Sequence, residues 1–336
     1  MRLALSIPAA AATILLIGIG CGTFAQKQPV PLDHDDDVLR ISTNLVTVPI
    51  SVMDRQGKFV PDLNESQFHL FEDGVEQRIA FFESAAKPFT VALLLDTSDS
   101  TRFKLEDIED AALAFVDQLR ADDRVLVAAF DKRVTLLTEA TSSRRVLHDA
   151  IRRAQTGGGT GLYNAIDVIV NQRLSRVRGR KAIVLFTDGV DTSSTGATYQ
   201  STVHLAEELD ALVYSIQYNT YDDATNIARR GASVQVLTAL GERLDIAYAR
   251  ANRYLRLLAD KTGGRFFYAD NVKNLTEGFA RIALELRQQY SIGYYPKSDG
   301  IKIERKIKVR VNVSNVVVSA RRGYAYKPAT RVGNQP

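Results

Sequence analysis

Hydrophobic and polar positions divide the chain into three stretches. Between residues 39 and 83 they alternate. Val46, Val48, Ile50 and Val52 fall on one parity, with Leu45, Thr47, Pro49 and Ser51 on the other. A period of two predicts strands with one buried face. Pro49 has no N–H to give a neighbour, so it predicts an edge position or a bulge. Asp73-Gly74, between apolar runs at 68–71 and 79–82, predicts a hairpin-type turn joining two strands.

From about residue 89 to 289 the pattern changes. Val91-Ala92-Leu93-Leu94-Leu95, 125–130 and Ala182-Ile183-Val184-Leu185-Phe186 are unbroken apolar runs, as expected of strands buried on both faces. Further strands are predicted at 134–137, 212–216 and 266–268. Between them Leu105, Ile108, Ala112, Phe115 and Leu119 stripe one helix, and Leu275, Phe279, Ile282 and Leu286 stripe the last. Other helices are predicted around 146–154, 162–174, 202–209 and 254–261. This alternation predicts an α/β class: a doubly wound, mostly parallel sheet with helices on both faces.

The tail returns to a period of two. Ile303, Ile307, Val309, Val311 and Val313 share one parity, and Lys306, Lys308, Arg310 and Asn312 the other. Each terminal β segment offers too few strands to stand alone. Together they predict one small β-sandwich built from both chain ends, with the α/β domain inserted in it. The division expected is 1–25 signal peptide, 26–38 linker, 39–87 first β part, 88–289 α/β domain, 290–327 second β part and 328–336 tail.

Composition adds little to the fold and more to the compartment. Across 336 residues, 43 Lys and Arg against 39 Asp and Glu leave a net charge of +4, too small an excess to argue for nucleic acid. One cysteine excludes an internal disulfide framework and a Cys-rich zinc site. That residue, Cys21, lies in a targeting segment. Arg2 is followed by an apolar run at 9–20, and Thr23-Phe24-Ala25 forms a small-x-small cleavage site before Gln26. A cleaved signal peptide and an extracytoplasmic location, periplasmic or secreted, are expected. Gly18-Ile19-Gly20-Cys21 also resembles a bacterial lipoprotein cleavage box, which keeps a lipid anchor at Cys21 open beside a retained membrane anchor.

Three short stretches carry the chemistry, each near a predicted strand end. They are Asp96-Thr97-Ser98-Asp99-Ser100, the glycine run at 157–161 that contains Thr160, and Thr187-Asp188-Gly189. In a doubly wound sheet, sites form outside the carboxyl ends of the strands. Asp96, Ser98, Ser100, Thr160 and Asp188 are all oxygen donors, the type that hard divalent cations take. So small a set of carboxylates favours Mg²⁺, with Mn²⁺ or Ca²⁺ as alternatives. Taken singly, the aspartates could equally cap helices and the serines could shape a turn. The glycine run lacks the Lys-Ser/Thr of a P-loop and does not fit the dinucleotide fingerprint.

The pattern D-x-S-x-S at 96–100, Thr160 within Gly158-Gly159-Thr160-Gly161-Leu162, and Thr187-Asp188-Gly189 after an apolar strand resembles the metal-ion-dependent adhesion site of von Willebrand factor A domains. The likeness covers about 88–289. It implies that Ser98 and Ser100 ligate the ion through their hydroxyls, that Thr160 joins them in the ligand-competent state, and that Asp96 and Asp188 act directly or through water. It also implies a protein partner whose Asp or Glu carboxylate completes the shell. Asp99 departs from the pattern, since glycine often fills that spacer. Its charge would repel an acidic ligand or add a donor. Val52 to Val60, Phe71-Glu72-Asp73-Gly74, Gly293-Tyr294-Tyr295-Pro296 and Ala320-Arg321-Arg322-Gly323-Tyr324 are similar to phrases of secreted von Willebrand factor A proteins described from acidobacteria.

The stretch 219–251 is far longer than the usual connection of about two to six residues. It carries Arg229, Arg230, Arg243 and Arg250 and should lie on the face of the site. It reads either as a cover or as a specificity module gripping an acidic partner. Arg173, Arg176, Arg178, Arg180 and Lys181 complement a helix C-terminus. His69, His148 and His204 lie on separate elements and suggest no catalytic set. A metal-assisted hydrolase lacks an evident base or nucleophile pair. The expectation is a non-enzymatic binding module, with an assembly subunit bearing a stabilising or vestigial metal site as its rival. Membrane contact is expected only through a lipid on Cys21.

Overall fold

A computed structural model describes residues 45–84, 87–218, 220–221, 237–238, 240–296 and 304–325. The targeting segment, the linker, Arg229, Arg230 and the tail expected at 328–336 lie outside the described residues.

The central sheet has six strands. In chain order they are β5 (Thr90–Asp96), β6 (Arg124–Phe130), β7 (Val134–Thr141), β8 (Lys181–Thr187), β9 (Leu212–Tyr218) and β10 (Phe266–Ala269). Their spatial order is β10-β9-β8-β5-β6-β7. All neighbours run parallel except β7, which returns antiparallel along β6. The period of two in β5 sorts its side chains between two cores. Val91, Leu93 and Leu95 meet α1 (Leu105–Gln118), α2 (Arg144–Ile151) and α6 (Val272–Arg287). Ala92 and Leu94 meet α3 (Leu162–Gln172), α4 (Tyr199–Glu208) and α5 (Leu244–Thr262). Burial on both faces is why this strand has no polar alternation.

The chain ends form two four-stranded antiparallel sheets. One has the order β13 (Val316–Ala320), β1 (Val46–Asp54), β11 (Tyr290–Tyr294), β4 (Phe81–Glu83). The other has β14 (Gly323–Ala325), β12 (Glu304–Val311), β2 (Phe68–Glu72), β3 (Val75–Gln77). Val48, Ile50, Phe68, Leu70, Ile292 and Ile307 close a third core between them. The sandwich of both ends is therefore present, and each sheet mixes strands from before and after the α/β part.

Two local expectations change. Pro49 sits in an inner strand, not an edge strand. β1 pairs with β11 over 46–50 and with β13 over 50–54, so at Pro49 one flank carries no ladder to interrupt. The Asp73-Gly74 turn joins β2 to β3, while the apolar run at 79–82 leads into β4 of the opposite sheet.

Polar side chains join the sandwich to the α/β part. Ser51 Oγ donates to Glu285 Oε1 at 2.9 Å, and Arg265 Nε pairs with Glu285 Oε2 at 2.8 Å. Arg321 Nη1 donates to the Leu209 carbonyl at 3.1 Å, beyond the end of α4. Arg180, expected to serve the end of the helix before it, is buried and donates to the carbonyl of Lys87 and to that of Leu286 in the last turn of α6. Loss of water lowers its pKa to about 10.

Candidate functional site

β5 and β8 are parallel neighbours. From β5 the chain moves to β6 on one side, and from β8 to β9 on the other. The gap between their carboxyl ends is the topological switch point where crevices form. Asp96 ends β5, and Asp188 follows the last residue of β8. Both are buried, at 0% and 1% exposure, with Ser98 at 1% and Thr160 at 4%.

The first loop is fastened to its own strand. Asp96 Oδ1 accepts the Ser98 N–H at 3.0 Å, which turns the chain back on itself. The Thr101 hydroxyl donates to the carbonyls of Asp96 at 3.0 Å and Ser98 at 2.8 Å. The hydroxyls of Ser98 and Ser100 then face each other at 3.1 Å. Asp96 Oδ2 accepts the Thr187 hydroxyl at 2.5 Å, which ties the end of β5 to the end of β8.

The glycine loop reaches the first loop by close approach. Gly157 N–H donates to the Thr97 carbonyl at 2.9 Å, and Ser98 and Gly157 form a parallel bridge. A Cβ on Gly157 would stand 1.8 Å from Asp131 Oδ2, so any side chain there would push the loop away. Thr160 is held on the other side. Its N–H donates to the Thr192 hydroxyl at 2.9 Å, and its carbonyl accepts the N–H groups of Thr192 and Ser193. Asp191 Oδ2 accepts the Tyr163 N–H at 3.0 Å, which fixes the start of α3.

Asp188 is held on every side. Its Oδ1 accepts the Val190 N–H at 2.9 Å, and Oδ2 accepts the Thr220 hydroxyl at 2.8 Å. Its carbonyl accepts Gln217 Nε2 at 2.9 Å, and Gln217 in turn accepts Asn252 Nδ2 at 2.7 Å. Gly189 has a φ of +85°, and a Cβ there would come within 2.9 Å of Leu255 Cδ1. Only glycine allows α5 to lie this close over the loop.

Burial is the main force on Asp96, and the charge of Asp188 is the second. Together they push its carboxyl from 3.8 up to about 7. Among the described residues, the partners of both carboxylates are hydroxyls and backbone N–H groups. The result is a buried, electron-rich pocket of oxygen atoms. The donor set fits a hard divalent cation. Among the described residues no group of three or more His, Cys, Asp or Glu could hold a metal, so hydroxyl donors are needed to complete any shell here.

All five expected residues thus lie on the end of β5 and on three loops that hydrogen bonds hold at one end of the sheet. Asp99 is exposed beside the glycine loop, its Oδ2 3.6 Å from where a Gly158 Cβ would stand. Sequence reasoning missed Thr101, Thr192 and Asp191, which orient the loops, and named Thr187 only as part of its motif. Their signal was present as hydroxyl and acidic residues clustered around the two motifs. It also missed Thr220 and Tyr248, which belong to the long connection.

That connection is shorter than expected, because α5 begins at Leu244 and not near Asn252. Its first turns pack Ala247 and Ala251 on Val190, with Tyr248 against them. Of its arginines, Arg243 pairs with Asp245 at 2.7 Å and Arg250 with Glu242 at 2.6 Å. Both serve acids within the same segment, which counts against them as grips for an acidic partner. The three histidines are likewise engaged locally, with Glu76, Asp117 and the pair Glu207 and Glu208.

Part of the chain is similar to known proteins. Residues 91–191 match the family model described as von Willebrand factor type A domain. An uncharacterized protein of Synechocystis sp. is 30% identical over 131 residues, which is 35% of this chain and 31% of that protein. The voltage-dependent calcium channel subunit alpha-2/delta-2 of Homo sapiens is 27% identical over 127 residues, 34% of this chain and 11% of the subunit. The match spans less than a third of either relative's length. Among solved structures, a von Willebrand factor type A protein from Catenulispora acidiphila is 11% identical with a TM-score of 0.47, covering 88% of this chain and 76% of that one.

Proposed function

We propose that this chain, which carries a von Willebrand factor type A domain at residues 91–191, is an extracytoplasmic, non-enzymatic module that binds a protein partner through a divalent cation. The family is one of protein-interaction and adhesion modules, some of which hold a metal at this kind of site. The single observation that carries the proposal is the pair Asp96 and Asp188. They are buried together at the switch point, their partners among the described residues are hydroxyl and N–H donors, and burial followed by their repulsion raises the pKa of Asp96. A divalent cation is the ligand that would relieve that repulsion.

In this proposal Ser98, Ser100 and Thr160 supply hydroxyl oxygens, and Asp96 and Asp188 supply charge, directly or through water. Mg²⁺ is the preferred ion, with Mn²⁺ or Ca²⁺ as substitutes. When bound, the ion would supply an electrophilic position that an Asp or Glu of the partner can fill. Thr97, Thr101, Thr187 and Thr192 hold the donors in place. The N-terminal segment supports export, with a lipid on Cys21 as the alternative to cleavage after Ala25. The division into 39–87, 88–289 and 290–327 is proposed on the same footing as the site.

The test is capture of partners from an extracytoplasmic extract by the full chain, with and without EDTA. Capture should need the cation and vanish in Asp96→Ala and Ser98→Ala while the fold persists. A partner set indifferent to chelation removes the proposal. The depth of burial of both carboxylates favours one rival, an assembly subunit whose cation only stabilises. It predicts that the same variants lose Mg²⁺-linked thermal stability and keep their partners.

A further inference from the structure

We infer that Thr220, just past β9, and Tyr248, on α5, form a hydroxyl relay that positions Asp188 for the cation, so that these two side chains set the affinity of the site. The inference rests on the proposed cation site. It adds two residues outside the three motifs that define that site.

The geometry gives each proton one place to go. Thr220 has a single hydroxyl proton, and it lies on Asp188 Oδ2 at 2.8 Å. The close contact between the Thr220 and Tyr248 hydroxyls therefore has Tyr248 as donor. Tyr248 lies farther from Asp188 Oδ2, at 3.4 Å, so its main bond is to Thr220. The chain of donors runs from Tyr248 to Thr220 to Asp188. Each link polarises the next. Thr220 is 1% exposed, so no bulk water replaces its hydroxyl.

Both residues are anchored independently of the carboxylate. Thr220 follows β9, the neighbour of β8 in the sheet. Tyr248 lies in the second turn of α5, where Ala247 and Ala251 pack on Val190, two residues past Asp188. Its ring also meets Tyr221 edge-on, with centroids 5.4 Å apart. With Val190 N–H on Oδ1 and the relay on Oδ2, the carboxylate cannot turn, and its remaining lone pairs keep a fixed direction. Outer partners of this kind change metal affinity by about 10–100-fold when removed.

The test is calorimetric titration of the full chain with MgCl₂, beside melting curves in EDTA. Thr220→Val should weaken Mg²⁺ binding about tenfold or more, Tyr248→Phe less, and Thr220→Ser should restore wild-type affinity. Melting in EDTA should stay near wild type for all three. If wild type binds Mg²⁺ and Thr220→Val binds it equally well, the relay is wrong and the cation site stands. If melting in EDTA falls in step with affinity, the residues are only structural and the inference fails. If wild type binds neither Mg²⁺ nor Mn²⁺, the proposed function falls and the relay falls with it.

Discussion

The sandwich buries one carboxylate and the sheet buries a pair, and the two sites are built on opposite principles. In the sandwich, Glu72 is 3% exposed and pairs with Arg305 at 2.5 Å. The Tyr294 and Tyr324 hydroxyls donate to its other oxygen. Charge and hydrogen bonds are balanced inside the protein. At the sheet, Asp96 and Asp188 face each other, and the donors on them among the described residues are neutral. A carboxylate buried with its counterion holds strands together. A pair of carboxylates met, among the described residues, by neutral donors alone is the arrangement from which the proposed cation binding follows.

The comparison is sharpest where it costs most to break. Arg305→Met leaves Glu72 buried and unpaired, and should cost about 3–5 kcal/mol in urea unfolding. Adding Glu72→Gln should recover much of that loss. At the sheet the sign reverses. Asp96→Asn removes a repulsion, so stability in EDTA should hold or rise. The variant should lose the Mg²⁺ response, about 2.7 kcal/mol for wild type at a hundredfold excess over Kd. Equal destabilisation by both substitutions would erase the distinction.

Gly189→Ala tests whether the roof of the site depends on close approach. The added Cβ meets Leu255 at 2.9 Å and Ala251 at 3.0 Å, at a backbone φ of +85°. A loss of about 1–3 kcal/mol is expected, with weaker Mg²⁺ binding as α5 lifts.

A pH trend tests the carboxylate pair itself. Asp96 has a folded pKa raised from 3.8 to about 7, so between those values the native state holds a proton that the unfolded state has released. Stability in EDTA should therefore fall as pH rises from about 4 through about 7. Mg²⁺ competes with that proton, so it should stabilise more at pH 8 than at pH 5. In Asp96→Asn both dependences should flatten. Denaturant titrations across pH, with and without Mg²⁺, measure this directly.

Some features of the chain were legible before any coordinates. The apolar runs at 91–95 and 182–186 announce strands buried on both faces, because they are short, unbroken and bounded by polar loops. The alternation at 46–52 and 303–313 announces half-buried strands. The polar loops after β5 and β8 announce the site, because sheet topology leaves a crevice only there. Other features were hidden. Arg305 occupies an apolar parity and reads as an exception until Glu72 is found opposite. The start of α5 carries Asp245 and Arg250, with Arg243 just before it, around a stripe of alanines, too weak a pattern to distinguish from a loop. Pro49 looks like an edge residue because pairing on each half of β1 comes from a different strand.

The sequence by itself determined which segments become strands and helices, and which oxygen-bearing residues stand at strand ends. Those properties are periodic or adjacent, and local chemistry suffices to set them. Only the tertiary structure decided which charges are balanced. Glu72 and Arg305 lie 233 positions apart, and Asp188 lies 60 positions from Tyr248, whose hydroxyl meets Thr220. Burial and electrostatics depend on distance in space, which spacing along the chain does not encode.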